Sequence, residues 1–256
     1  MLLTSIAMPI MKIFYILLFI IYMNKINLLC IPYSGGSKYS FSPLLKSTPG
    51  HLNPIVLELP GRGGRSKEKL LDDIKKMELD IFEHALKYVN TPYALYGHSM
   101  GGLLAYLLAR NIVRNKLNRP IYLFITGTIG PSVGYRHSYH NLSKKDFLEQ
   151  IRKYKGMPDE ILNNEEMMDF FEPIMRSDFK AAETYTYEAT APLDIPISVV
   201  IGDEEDMEYE DVEAWAKESI ASVEISKLPG NHFFIFEHRE YLMKYMGDKI
   251  LNSIYG

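Results

Sequence analysis

The stretch YGHSMGG, Tyr96 to Gly102, sets a serine between two glycines as Gly97-His98-Ser99-Met100-Gly101. This spacing has a mechanical reading. At a sharp strand-to-helix turn the central serine is forced into a strained backbone conformation, and side chains two residues to either side would collide. Glycine at both places lifts the Ser99 hydroxyl clear and sets it at a helix N-terminus. There the N–H of Met100 can face a developing oxyanion. The chemistry implied is nucleophilic attack on an acyl carbonyl.

Such a serine needs a base. The seven histidines are 51, 84, 98, 137, 140, 232 and 238. His98 belongs to the turn and reads as a packing residue. His84 falls on an amphipathic segment, and His51, His137, His140 and His238 read as loop or surface residues. His232, in LPGNHFFIF after a late strand, is the candidate base. In doubly wound hydrolases the chain order is serine, acid, histidine, so the acid should follow the strand ISVVIG, in GDEEDM. Asp203 and Glu204 read as solvated loop charges. Asp206 is far enough beyond the strand to turn back toward His232 and is preferred; Glu205 is the alternative. The acid would hold the imidazole tautomer and stabilise the imidazolium. A second oxyanion donor must come from another loop. PYSGGSKYSF, 32–41, offers the N–H of Ser34, beside glycines that permit close backbone approach. No Cys/His cluster has metal-ligand spacing, and the single cysteine, Cys30, lies in an apolar run and reads as a buried thiol.

The elements that must position these residues alternate. Apolar runs at 26–31, 54–59, 93–97, 121–127 and 197–202 read as buried strands. Segments 69–89 and 100–115 carry helical spacing, and a last strand VEISKLPG precedes a final helix from about 238. Continuous apolar strands with helical crossovers indicate a mostly parallel sheet covered on both faces. Between the last two long strands, about 130–192, lies a helical stretch with Ser143 as an N-cap and Met167, Met168, Phe170, Phe171, Ile174 and Met175. It reads as a lid insertion, as added packing on the main core, or as both.

The 256 residues are 47% hydrophobic and 23% charged, the composition of a folded chain with a sizeable core. A net charge of -4 argues against a nucleic-acid binder. The first 22 residues are almost wholly apolar, with Lys12 the only charge. They read as an anchor, a poor secretion signal, or sequence upstream of a start at Met23; the last is favoured. Residues 23–256 read as one domain.

Taken together, IPYSGGSKYSFSPL, ELPGRGGR, YGHSMGGLLAYLLAR, the segment from LSKKDF to ETYTY, PLDIPISVVIGDEED and LPGNHFFIFEH resemble the type II, external thioesterases of nonribosomal peptide and polyketide synthesis. These belong to the α/β-hydrolase superfamily. The resemblance runs in order from about residue 24 to the carboxyl end. It implies an α/β-hydrolase fold with a helical lid and a Ser-Asp-His triad carried by Ser99, Asp206 and His232. The family's acid motif, G-G-x-x-D, fits Gly202 to Asp206 only if Asp203 replaces the second glycine, with one extra residue after Pro196; Glu205 therefore stays open. It also implies oxyanion donors at Ser34 and Met100. The implied reaction is hydrolysis of acyl groups from the phosphopantetheine arm of a carrier protein, an editing role. Phosphopantetheine then belongs to the substrate, and no bound cofactor or metal is expected. The implied partner is an acyl or peptidyl carrier domain, docked by the basic run Lys144, Lys145, Arg152, Lys153 and Lys155. A cytoplasmic monomer is expected, without membrane attachment unless residues 1–22 are translated. A small-molecule esterase or lipase, and a noncatalytic binding protein on the same fold, are the alternatives.

Overall fold

The computed structural model describes residues 25–157 and 159–255. The expectations attached to residues 1–22 and to a start at Met23 lie outside the described residues. Six strands, β1 (Ile26–Ile31), β2 (Leu52–Val56), β3 (Tyr93–His98), β4 (Leu123–Thr126), β5 (Ile197–Gly202) and β6 (Val223–Leu228), form one sheet in the order β2-β1-β3-β4-β5-β6. Every pairing is parallel. β3, β4 and β5 are buried along their whole length, as continuous apolar strands covered on both faces should be.

The longer helices are α1 (Ile74–Ala85), α2 (Met100–Arg114), α3 (Lys144–Lys153), α4 (Glu165–Glu183) and α5 (Arg239–Tyr255). On one face of the sheet, Leu29, Leu95, Ile125 and Val199 pack with Met77 and Ile81 of α1 and Leu104 and Leu108 of α2. On the other, Leu28, Tyr96, Phe124 and Val200 pack with Leu242, Met243 and Met246 of α5. Cys30 lies on this second face, fully buried, and burial pushes its thiol pKa far up, so it is an inert core thiol.

Two boundaries differ from the sequence expectation. β2 spans Leu52–Val56 rather than 54–59, because its register on β1 ends with Cys30 opposite Val56. Pro60 then lacks a donor, and Gly61 turns the chain at φ +81. Pro54 inside β2 is tolerated because β2 is an edge strand. α1 starts only at Ile74, where the Asp73 side chain accepts from the N–H of Lys76 as an N-cap.

Between β4 and β5 the chain leaves the sheet for a helical excursion holding α3 and α4. Ser143 caps α3, accepting from Asp146 N–H. The excursion has a small core of its own, Phe147, Ile151, Leu162, Met168 and Met175, while Ala181 and Ala182 at the end of α4 join the main core. Both sequence readings of this stretch therefore apply, to different residues. Met167 and Phe170 do neither: they stay 38% and 56% exposed. Among the described residues no helix is long and apolar enough to cross a membrane.

Candidate active site

The chain order along the sheet reverses at β1 and β3, and a crevice at the carboxyl ends of such neighbours is where open α/β sheets hold ligands. Ile31 is paired with Gly97, so the loop carrying Ser34 and the turn carrying Ser99 leave the sheet side by side. Ser99 has φ 57 and ψ -126, a conformation seldom adopted by non-glycine residues. Its N–H donates to Thr126 O at 2.8 Å, and its carbonyl accepts from Gly102 N–H at 2.8 Å. The strain is imposed by packing. A Cβ on Gly97 would lie 2.0 Å from Gly101 O, and one on Gly101 would lie 2.1 Å from Ile31 O. Both glycines are thus required by backbone contact, and α2 begins directly after the serine.

His232 sits in the loop after β6, which is stitched to the loop after β5. Asp203 N–H donates to Leu228 O at 2.9 Å, Glu204 N–H to Gly230 O at 3.1 Å, and Gly230 N–H to the Asp203 carboxylate at 2.9 Å. Across this seam Glu205 Oε2 meets His232 Nδ1 at 2.5 Å, while Glu205 Oε1 accepts from Gly202 N–H at 2.8 Å. The Glu205 carboxylate is nearly sealed from solvent, 2% exposed. Asp206, the acid preferred on the sequence, is exposed. The carboxylate that reaches His232 is therefore that of Glu205, the alternative acid, brought back to the seam by the turn in which Glu205 N–H meets Gly202 O.

His98 is closer to this centre than its sequence reading implied. Its ring lies 4.8 Å from that of His232, and Gly127, at φ +62, fits its backbone against both rings. Nδ1 pairs with Thr126 Oγ1 at 2.9 Å, and complete burial drives the pKa of His98 well below the ordinary range, so it is neutral. The sequence marked neither Thr126 nor Tyr154. The Tyr154 ring, at the end of α3, rests 5.1 Å from the His232 ring, and burial raises its phenol pKa, keeping it uncharged. Beside it Gly156 passes so near Phe233 that a Cβ would overlap that ring. The excursion therefore roofs the imidazole with an apolar, neutral surface.

A second feature that sequence reasoning passed over is the buried pair Arg62–Asp178. Arg62 lies in ELPGRGGR and Asp178 in the segment from LSKKDF to ETYTY, and neither carries a local signal of its own. Arg62 Nη1 and Nη2 reach the two Asp178 oxygens at 2.5 and 2.7 Å, and Asp178 Oδ2 also accepts from Gly35 N–H at 2.7 Å. Among the described residues no group of three or more His, Cys, Asp or Glu is arranged to hold a metal ion.

A serine held at positive φ at a strand-to-helix turn, and an imidazole paired with a carboxylate nearly sealed from solvent, are parts that an acyl hydrolase uses. A family model described as thioesterase domain matches residues 26–250. The chain belongs to the thioesterase family. This thioesterase is 30% identical over 224 residues to the gramicidin S biosynthesis protein GrsT of Aneurinibacillus migulanus, covering 87% of this chain and 88% of that one. Among solved structures it is similar to ClbQ from the colibactin NRPS/PKS pathway (30% identity, TM-score 0.85, 91% and 100% of the two chains). It is also similar to the type II thioesterase BorB from the borrelidin biosynthetic cluster (28% identity, TM-score 0.81, 88% and 93%). The sheet, expected to be mostly parallel with helices on both faces and found parallel at every pairing among the described residues, is the thioesterase form of the α/β-hydrolase fold.

Proposed function

We propose that this thioesterase clears acyl and aminoacyl groups from the phosphopantetheine arm of carrier proteins in nonribosomal peptide or polyketide synthesis, acting in the cytoplasm as an editing enzyme. The observations that carry the chemistry are the Glu205–His232 pair and a serine held at positive φ at the start of α2. The carrier-protein substrate is supported by the kinship with type II thioesterases such as BorB.

Ser99 Oγ attacks the thioester carbonyl while His232 takes its proton. Glu205, bound to Nδ1, leaves Nε2 for that transfer and stabilises the imidazolium. The oxyanion is received by the N–H groups of Ser34 and Met100, which have no protein acceptor among the described residues. Collapse expels the pantetheine sulfur as a thiolate, a good leaving group because a thiol pKa is about 8.5, and the thiolate takes the proton from His232, which returns to its neutral form. Water, deprotonated by His232, then hydrolyses the acyl-Ser99 ester. The neutral roof of Tyr154 shields the imidazole from bulk water during these steps.

For the carrier the lid offers fewer free cations than its sequence suggests. Lys144 pairs with Asp169 and Arg152 with Asp159. Lys145, Lys153 and Lys155 make no ion pair among the described residues, Lys153 donating instead to Gln150 Oε1 at 3.0 Å. Lys145 flanks a pocket of about 400 Å3 lined by Leu148, Leu162 and Met168. We assign Lys145 the first contact with an acidic carrier.

The test is intact mass of acetyl- and aminoacyl-loaded carrier proteins after incubation with the enzyme and with Ser99→Ala. Loss of the acyl mass with the wild type alone is expected. Intact acyl-carriers in both samples, with hydrolysis of simple oxyesters retained, would replace this reading by a small-molecule esterase.

A further inference from the structure

The Arg62–Asp178 pair spans three separate pieces of chain, and its geometry points inward to the oxyanion loop. Asp178 lies on α4, fully buried. Arg62 lies on the loop after β2 and is 2% exposed. The third partner is the main chain after β1: Gly35 N–H donates to Asp178 Oδ2 at 2.7 Å, and Arg62 Nη1 approaches Gly36 O at 3.5 Å. Met175, one turn before Asp178 on α4, fits so closely against Gly35 that a Cβ there would come within 2.6 Å of its Cγ. Gly35 itself takes φ +78, and Gly36 N–H closes a turn on Tyr33 O at 2.8 Å.

Ser34 stands between these fixed points. Its N–H belongs to the peptide that follows Tyr33, its carbonyl to the peptide that Asp178 grips through Gly35. Fixing the peptides on both sides leaves the Ser34 N–H one direction. A buried ion pair adds little net stability, because desolvation offsets the attraction, so stability is a weak reason for this one. An anionic acceptor aimed at a backbone N–H is a precise positioning device. We infer that Asp178 is a positioning residue for the Ser34 oxyanion donor, with Arg62 as its countercharge, so that seating α4 of the lid and assembling the oxyanion hole are one event. The inference rests on Ser34 N–H being an oxyanion donor, as proposed above.

Two double variants separate positioning from structure. Arg62→Gln with Asp178→Asn removes both charges and keeps an oxygen that accepts from Gly35 N–H. Arg62→Met with Asp178→Leu removes the charges and the acceptor together. The readouts are kcat and KM on an acyl-pantetheine thioester, with binding of an acyl-pantetheine trifluoromethyl ketone, which forms an oxyanion on Ser99, and of the matching amide, which does not. For the Gln/Asn pair kcat should stay within about 3-fold of wild type. For the Met/Leu pair kcat should fall roughly 100-fold, the loss of one oxyanion donor, with KM and amide binding little changed and ketone affinity reduced in parallel. If the Met/Leu pair does not fold, Arg62→Gln with Asp178→Ala carries the same comparison. Equal kcat in the two double variants, or parallel loss of ketone and amide binding, would overturn the inference. A wild-type enzyme that binds the ketone no better than the amide would instead overturn the serine-thioesterase mechanism beneath it.

Discussion

The two oxygens of Glu205 have separate tasks: Oε1 accepts from the Gly202 N–H and fixes the carboxylate, and Oε2 takes His232 Nδ1. The neighbouring Asp206 has no such contact and faces solvent. Glu205→Gln should therefore lower kcat by roughly 1,000- to 10,000-fold, the scale seen when a triad acid becomes an amide and the imidazole loses its tautomer. Asp206→Asn should leave kcat within about 2-fold, since exposed charges away from the reacting atoms contribute little. Steady-state hydrolysis of an acyl-pantetheine thioester distinguishes the two. The reverse pattern, a large loss in Asp206→Asn with Glu205→Gln near wild type, would return the acid to Asp206.

The elements around Ser99 are locked by backbone contact. Gly101, in the first turn of α2, faces Ile31 O and Pro32 O at the end of β1. Gly101→Ala would drive β1 and α2 apart at the point where the Ser34 and Ser99 loops emerge. A loss of about 3 kcal/mol is expected, at the upper end of overpacking costs, together with loss of activity. Gly134 has nothing within 4 Å of an added Cβ, so Gly134→Ala should stay within about 0.5 kcal/mol. Urea denaturation of both variants checks the pair. The same scale shows why element existence was legible and boundaries were not. The apolar runs of β3 and β5 and the period of α2 were plain in the sequence. The start of α1 depended on one cap at Asp73, and the end of β2 on its register against β1.

Over the whole molecule, the buried imidazole of His98 couples stability to pH. Its pKa in the folded chain lies below the unfolded value of about 6.5, so the unfolded state binds the extra proton first. Stability is complete above pH about 6.5 and falls as pH drops toward the folded pKa, by at most about 1.4 kcal/mol per pH unit. His98→Gln should flatten this limb in melting temperatures taken from pH 7.5 to 5, and an unchanged slope would assign the limb to other groups. The docking proposed for Lys145 belongs to the same scale, because that residue stands on an exposed face of α3. Lys145→Glu should raise KM for an acyl-carrier several-fold and leave KM for acyl-pantetheine unchanged, with a loss that shrinks in high salt. Equal effects on both substrates would remove Lys145 from the docking face.

By itself the sequence determined the alternation of apolar strands and helices, and hence the parallel sheet. It also marked a serine whose flanking glycines admit one kind of turn, and a late histidine. These are local properties: period, glycine spacing and chain order survive in one dimension. Tertiary structure decided what depends on distance across the chain. Asp206 and Glu205 differ by one position in sequence, and only the folding of the β5 and β6 loops onto each other shows which carboxylate reaches His232. Arg62, Asp178 and Gly35 lie on three segments, 116 and 143 residues apart in their pairings. No spacing rule joins them. Their meeting is fixed by where α4 settles over the sheet, because a buried charge must find its partner wherever the fold brings one.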